Sequence, residues 1–204
     1  MNVLLINGSP HKNGCTYTAL RCMAKVLEEK GIATDIFHIG TRPVGGCIAC
    51  GQCASTKRCY IDDCVNQALE KAEKADGFVF GAPVYFASPA GSMVGFLDRF
   101  FNAGSFCHKP AAVVASARRG GCTASLEVLN KYPTYNQMPL VSADYWPLVH
   151  GNTPEEVLQD AEGIFTVETL ARNMAWLLKC IEAGKNAGIE PEMVKKNTWT
   201  NFIR

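Results

Sequence analysis

The chain has 204 residues, of which 48% are hydrophobic and 19% are charged, and its formal net charge is +1. This composition is typical of a globular protein, and the length suits one domain with a sizeable core. The near-zero charge without a long basic run argues against nucleic acid or an anionic membrane as partner. Because no apolar run approaches the roughly 20 residues that span a bilayer, we expect a single cytoplasmic domain over residues 1–204.

The first elements are a buried strand and a helix, joined by a polar turn. Residues 3–6 are all apolar, which predicts a buried strand, and apolar residues recur at helical spacing over 15–29. The turn between them, NGSPHKNGCT at 7–16, offers backbone N–H groups and hydroxyls at the positive end of the helix. Its glycine spacing fits neither a Walker loop nor a dinucleotide fingerprint. We interpret it as a cradle for a monophosphate such as that of FMN, the alternative being an ordinary polar turn.

Strands and helices alternate through the rest of the chain. We predict strands at 32–39, 77–81, 111–116 and 138–141, and helices at 62–74, 90–102, 121–132 and 162–183, the first of these capped by Asp62 or Asp63. Five strands alternating with five helices indicate a doubly wound parallel sheet of the α/β class, with the flavodoxin-like order 2-1-3-4-5. Ligands of such sheets bind beyond the carboxyl ends of strands 1, 3 and 4. The turns at 9–16, 83–86 and 116–121 are therefore expected to converge.

Four of the ten cysteines lie together in a glycine-containing loop at 45–60, with the spacing C-x2-C-x2-C-x5-C. They are Cys47, Cys50, Cys53 and Cys59. Thiolates at this spacing can turn toward one point and form a four-thiolate site, with Lys57 and Arg58 offsetting their charge. Zinc is one alternative, although its structural sites more often separate two cysteine pairs by a longer interval. A loop of buried or redox-active thiols without a metal is the other.

Four motifs carry a resemblance to a known family. They are NGSP at 7–10, GAPVYF at 81–86, LDRF at 97–100 and RRGG at 118–121. Together with Asn13 and Thr16, they make the chain similar, over nearly its whole length, to the NAD(P)H-dependent FMN reductase and multimeric flavodoxin family. The four-cysteine spacing resembles that of the iron-sulfur flavoprotein branch of this family. Arg99 of the LDRF motif, which follows Asp98, is expected to be an ion-pair residue.

The resemblance implies which residues bind FMN. The phosphate would be held by Ser9, His11, Asn13, Gly14, Cys15 and Thr16. The isoalloxazine ring would be lined by Pro83, Val84, Tyr85, Phe86, Ala117, Arg118, Gly120 and Gly121. Two aromatic side chains could cover the ring faces, the alternative being that they pack in the core. The flavin carries the chemistry, so no catalytic protein residue is assigned.

The same resemblance implies an FMN-dependent oxidoreductase that passes reducing equivalents from NAD(P)H, its co-substrate, to a quinone, nitro compound, azo compound or flavin. The alternative is an iron-sulfur flavoprotein that holds a [4Fe-4S] cluster on the four cysteines and accepts single electrons from ferredoxin through the cluster. A cofactor-free scaffold is disfavoured by the three intact turns. We also expect a homodimer or homotetramer, because an open crevice would leave one flavin face in water.

Overall fold

The computed structural model of the chain describes residues 1–194, 196–198 and 200. The strands are β1 (Asn2–Asn7), β2 (Ala33–His38), β3 (Gly77–Tyr85), β4 (Ser88–Pro89), β5 (Ala111–Ala117) and β6 (Leu148–His150). The helices are α1 (Cys15–Glu29), α2 (Cys53–Thr56), α3 (Cys64–Ala72), α4 (Gly91–Ala103), α5 (Cys122–Tyr135), α6 (Pro154–Gln159) and α7 (Ala161–Asn186). Strands and helices thus alternate as a doubly wound fold requires.

The main sheet is parallel and has the strand order β2-β1-β3-β5-β6. This confirms the flavodoxin-like order 2-1-3-4-5, since the short β4 lies off this path and pairs antiparallel with the end of β3. In the middle of the sheet, Leu5 of β1 pairs with Ile36 of β2 and with Val79 of β3. The carboxyl ends of β1, β3 and β5 consequently lie near one another at one end of the sheet.

The outermost strand beyond β5 differs from the prediction. Residues 138–141 make an isolated parallel bridge, Leu140 with Ala111, at the start of β5. The chain then leaves the sheet and returns as β6, which pairs along the second half of β5. Two hydrogen bonds hold the isolated bridge, from the Ala111 N–H to the Pro139 carbonyl and from the Val141 N–H to the Ala111 carbonyl (both 2.9 Å). The prediction of the fifth strand at 138–141 is therefore wrong in position, although its place in the strand order is confirmed.

The other elements begin close to their predicted positions. Every predicted helix starts within two residues of the observed one, and Asp63 caps α3 by accepting a hydrogen bond from the Val65 N–H (3.0 Å). β3 continues to Tyr85, four residues beyond its predicted end, because the chain pairs with β4 there. The short elements α2, β4 and α6 were not predicted, since each is too brief to show a periodic pattern.

The core lies on both faces of the sheet, because successive side chains of each strand point to opposite sides. Val3 and Leu5 of β1 belong to a cluster with α1 and α7, whereas Leu4 and Ile6 belong to a cluster with α3, α4 and α5. The second cluster is rich in buried aromatic residues, namely Phe78, Phe80, Phe96, Phe100 and Phe106. Among the described residues, no helix combines the length and the apolar character needed to cross a membrane.

Candidate functional site

The loops that follow β1, β3 and β5 lie side by side, as predicted. The loop after β1 is joined to β3, because the Gly8 N–H donates to the Gly81 carbonyl (2.8 Å). The turn after β5 presses against the hairpin between β3 and β4. A Cβ atom added at Gly121 would lie 2.9 Å from the Cα of Ala87. The three segments predicted to bind FMN are thus brought together at the carboxyl end of the sheet.

Polar groups of the first loop fix its shape. Oδ1 of Asn7 accepts from the Ser9 N–H, and Nδ2 of Asn7 donates to the Lys12 carbonyl, both at 3.1 Å. Oγ of Ser9 accepts from the His11 N–H (3.1 Å), and the Ser9 carbonyl lies 2.8 Å from Nε2 of His38. Ser9 is buried, and its hydroxyl still has a proton to donate. These hydrogen bonds therefore hold the Ser9 hydroxyl, a hydrogen-bond donor, in a fixed position in the loop.

The start of α1 provides further donors. Gly14 is the N-cap residue and makes no side-chain cap, so a side chain does not satisfy the first N–H groups of the helix. The Cys15 thiol donates to the Gly151 carbonyl (3.6 Å). The donor that Cys15 offers at the N-terminus of α1 is therefore its backbone N–H. Thr16 is 1% exposed, and its Oγ1 has no hydrogen-bond partner among the described residues. An orphaned buried hydroxyl beside an uncapped helix N-terminus fits a bound phosphate.

His11 and Asn13 lie on the exposed rim of this loop. Together with Gly14 and Cys15 they line an open groove whose opposite wall is formed by residues 152–154, at the start of α6. The predicted phosphate residues therefore fall into a buried group, containing Ser9 and Thr16, and an exposed group at the rim.

The hairpin between β3 and β4 carries the two aromatic residues predicted to cover a flavin. Tyr85 pairs with Ser88, so Phe86 and Ala87 form a two-residue turn, with φ angles of 52° and 57°. Such a turn normally takes Asn or Gly, and non-glycine residues there store backbone strain, which clusters at functional sites. Tyr85 is about half exposed and Phe86 is wholly exposed. The alternative that these side chains pack in the core is therefore wrong.

The turn after β5 leaves space beside its backbone. Ala117 is buried, whereas Arg118 and Gly120 are exposed. A Cβ atom at Gly120 would meet nothing within 4 Å, while Gly121 has a φ of 96° and the close contact with the hairpin. Pro83 and Val84 are partly buried at the end of β3. The predicted ring-lining residues thus come from two adjacent turns around open space.

The four cysteines of the loop at 45–60 line one small cavity. They are Cys47 and Cys50, which are exposed, and Cys53 and Cys59, which are half-buried. Within the described part of the chain, no group of three or more His, Cys, Asp or Glu side chains is placed to hold a metal ion. The spacing predicted that the four thiols turn toward one point. In the structure they surround a cavity instead. The cavity has a volume of about 20 Å³, room for no more than one water molecule, but the four thiols are the donor set of a four-iron cluster.

The loop is attached to one face of α4. A Cβ atom at Gly95 would lie 2.8 Å from the Val44 carbonyl oxygen and 3.3 Å from that of Gly45, so the backbone crosses the helix closely where the loop begins. The Asn102 carbonyl accepts a hydrogen bond from Cys53 Sγ (3.5 Å). Positions 95, 99 and 102 are spaced i, i+4 and i+7, which places them on the same helix face.

Arg99, at the centre of this face, is 1% exposed. Its Nε donates to Cys59 Sγ (3.1 Å), and its two Nη atoms donate to the two carboxylate oxygens of Asp63 (2.7 and 2.8 Å). The carbonyls of Ile61 and Gly45 accept at 2.7 and 3.4 Å. Burial lowers the pKa of Arg99, but the hydrogen bonds to Asp63 and Cys59 outweigh burial and raise the pKa above its usual value. The guanidinium is therefore charged.

This arrangement revises two expectations from the sequence. Arg99 is an ion-pair residue, as expected, but its partner is Asp63 and not the adjacent Asp98. Lys57 and Arg58 were expected to offset the thiolate charge, but Lys57 donates to the Ala54 carbonyl (3.1 Å) and Arg58 pairs with Glu70 (2.6 Å), whereas Arg99 contacts a cysteine sulfur. Sequence reasoning did not identify Arg99 at this site, because its partners lie 36 to 54 residues away along the chain.

Comparisons with known proteins agree with these observations. A model of the NADPH-dependent FMN reductase family matches residues 1–153. An iron-sulfur flavoprotein of Methanocaldococcus jannaschii is 28% identical over 193 residues, covering 89% of this chain and 100% of the relative. An iron-sulfur flavoprotein of Archaeoglobus fulgidus is 31% identical over 169 residues, covering 80% of this chain and 83% of the relative.

A solved structure, RosB with bound 8-demethyl-8-formylriboflavin-5'-phosphate, matches with a TM-score of 0.64 at 14% identity. The match covers 100% of this chain and 94% of that one, and it shows the shared flavodoxin-like fold. The family model covers most of the chain, and the two relatives named above match it over at least four-fifths of their length. The chain therefore belongs to the NADPH-dependent FMN reductase family of flavoprotein oxidoreductases.

Proposed function

We propose that the chain is an iron-sulfur flavoprotein, an FMN-dependent oxidoreductase in which the loop at 45–60 holds a [4Fe-4S] cluster. One observation carries this proposal: four cysteines line a single cavity next to a buried arginine. The protein ligands of a [4Fe-4S] cluster are cysteine thiolates, and four of them concentrate negative charge that a buried cation can offset. The names of the relatives in Methanocaldococcus jannaschii and Archaeoglobus fulgidus support the same proposal.

Residues at the carboxyl end of the sheet would bind FMN. The buried hydroxyls of Ser9 and Thr16 and the first N–H groups of α1 would donate to its phosphate. The exposed aromatic rings of Tyr85 and Phe86 would cover the faces of the isoalloxazine ring. The edge of the ring would lie against the backbone at Gly120, where there is open space. When bound, FMN supplies the redox chemistry, and the protein contributes binding, orientation and the exclusion of water.

The loop at 45–60 would provide the contact for an electron-transfer partner. Cys47 and Cys50 are exposed, and so are Ile48 and Tyr60 beside them. A cluster in this cavity would thus lie close to the protein surface, where a one-electron partner such as ferredoxin could approach it.

Replacement of one cysteine tests the proposal. The protein is purified without air, and iron, acid-labile sulfide and the visible spectrum are measured for wild type, Cys50→Ala and Cys180→Ala. Cys180 is a matched control, because it is also exposed but lies on α7, on the opposite side of the sheet from α4. We expect Cys50→Ala to lose iron and the broad cluster absorbance but keep FMN, whereas Cys180→Ala keeps all three. Iron-free wild type with a full complement of FMN would refute the cluster.

A second candidate function, supported by the description of the matching family, is NAD(P)H-dependent reduction of a small acceptor such as a quinone, nitro compound, azo compound or flavin. Steady-state oxidation of NADPH and NADH with these acceptors tests it. A reductase that works through the flavin alone should keep its rate in Cys50→Ala. A rate that disappears together with the cluster would show that electrons must pass through the cysteine loop.

A further inference from the structure

We propose that Arg99 is a positioning residue that raises the reduction potential of the cluster, by holding its charge against the sulfur of the fourth ligand, Cys59. This inference rests on the proposed function, because it requires that the cysteine loop holds a cluster. It goes further in assigning a role to a residue of α4, outside the cysteine motif.

The hydrogen bonds of Arg99 fix the direction in which its charge acts. Both Nη atoms are engaged by Asp63, and the carbonyls of Gly45 and Ile61 take further N–H bonds. Nε is then the group directed at Cys59 Sγ, at 3.1 Å. With its side chain 1% exposed, the guanidinium cannot turn toward solvent without breaking these bonds. Its contact with the sulfur is therefore built into the fold.

Electrostatics gives this contact a measurable consequence. One-electron reduction adds a negative charge to the cluster, and a nearby positive charge stabilises the reduced form and raises the potential. The carboxylate of Asp63 binds the Nη atoms of the guanidinium, not the Nε that contacts the sulfur, and its negative charge opposes that effect. Loss of the Arg99 charge should lower the potential, whereas loss of the Asp63 charge should raise it.

Nearby Arg58 offers a matched control. It belongs to the same loop, but its side chain is 51% exposed and pairs with Glu70 and Asp62. Water and salt screen exposed charges far more than buried ones. Removing the Arg58 charge should therefore shift the potential much less than removing the buried charge of Arg99.

The test is a potentiometric titration with dithionite as reductant, followed by the electron paramagnetic resonance signal of the reduced cluster. It uses anaerobically purified holoprotein at one fixed pH. The variants are Arg99→Gln, Arg99→Lys, Asp63→Asn and Arg58→Gln. Asparagine is as good an N-cap as aspartate, so Asp63→Asn keeps the start of α3 while removing the charge. FMN content, measured on the same samples, reports whether the fold is intact.

We expect a lower potential in Arg99→Gln, a smaller change in Arg99→Lys, a higher potential in Asp63→Asn and a near wild-type value in Arg58→Gln. Wild-type potentials in both Arg99→Gln and Asp63→Asn, at full iron content, would overturn the inference. Shifts in the same direction would also overturn it. If Arg99→Gln does not retain the cluster, Arg99→Lys and Asp63→Asn decide the question. Failure of the proposed function is distinguishable, because it would appear as iron-free wild type.

Discussion

Replacing Thr16 by valine tests the phosphate site with little disturbance to the fold. The exchange substitutes a methyl group for the hydroxyl at nearly constant volume. Oγ1 of Thr16 is buried and has no hydrogen-bond partner in the described part of the chain, so the apoprotein loses no hydrogen bond. We therefore expect the free energy of unfolding of the apoprotein to stay the same or to rise slightly, because an unsatisfied polar group is removed.

FMN binding should respond differently, because the hydroxyl would donate to a charged phosphate. A hydrogen bond to a charged group contributes about 1.5–3 kcal/mol, and each 1.4 kcal/mol changes a dissociation constant tenfold. We expect Thr16→Val to weaken FMN binding by roughly 10- to 150-fold. The fluorescence of free FMN, titrated with apoprotein, measures the dissociation constant. Adding Asn13→Ala should weaken binding further if this exposed rim residue also contacts the phosphate.

Thr166 provides the matched control. It is a threonine of α7 that is also 1% exposed and also has an unpartnered Oγ1. Thr166→Val should affect the stability of the apoprotein in the same way but leave FMN affinity unchanged. Equal FMN affinities in wild type and Thr16→Val would refute the assignment of the phosphate site to the start of α1.

Three further outcomes can be measured. Gly121→Ala places a Cβ 2.9 Å from the Ala87 Cα at a φ of 96°, so we expect this variant to lower the free energy of unfolding by about 1–3 kcal/mol. The Cβ of Gly120→Ala meets nothing within 4 Å, so that variant should keep the wild-type stability. Equal melting temperatures of the two variants would contradict this. Burial raises the pKa of Cys122 from 9.0 to about 11, so the unfolded chain loses this proton first and stability falls as the pH rises from about 9 to 11. Urea titrations should show a smaller fall in Cys122→Ala, and an unchanged fall would speak against a buried neutral thiol. Because Phe86 is wholly exposed beside an open crevice, we propose that a second copy covers the flavin in a homodimer or homotetramer; a monomer at micromolar concentration in light scattering, still binding FMN and active, would contradict it.

Features set by local sequence could be predicted without the structure. The apolar run at 3–6 and the Gly- and Asn-rich turn after it indicate β1, the polar loop and the start of α1, and all three lie where the sequence placed them. The parallel order of strands followed from the alternation of strands and helices, because right-handed crossovers leave few topologies. The convergence of the three turns followed in the same way.

Features set by distant contacts could not be predicted. The outermost strand of the sheet was placed at 138–141, where apolar residues cluster, because local pattern does not report the return of the chain at β6. The role of Arg99 depends on the fold bringing Cys59 and Asp63 against α4, and neither residue is near it in sequence. The strained turn at 86–87 contains no Asn or Gly, so turn composition gave no sign of it.

The most direct test of the proposed function is the stoichiometry of cofactors in anaerobically purified wild-type protein. Iron, acid-labile sulfide and FMN are measured on one sample, and the counts are divided by the protein concentration from amino-acid analysis. We expect one FMN with about four iron and four sulfide ions per chain, as a [4Fe-4S] cluster on Cys47, Cys50, Cys53 and Cys59 requires. One FMN per chain without iron or sulfide would contradict the cluster.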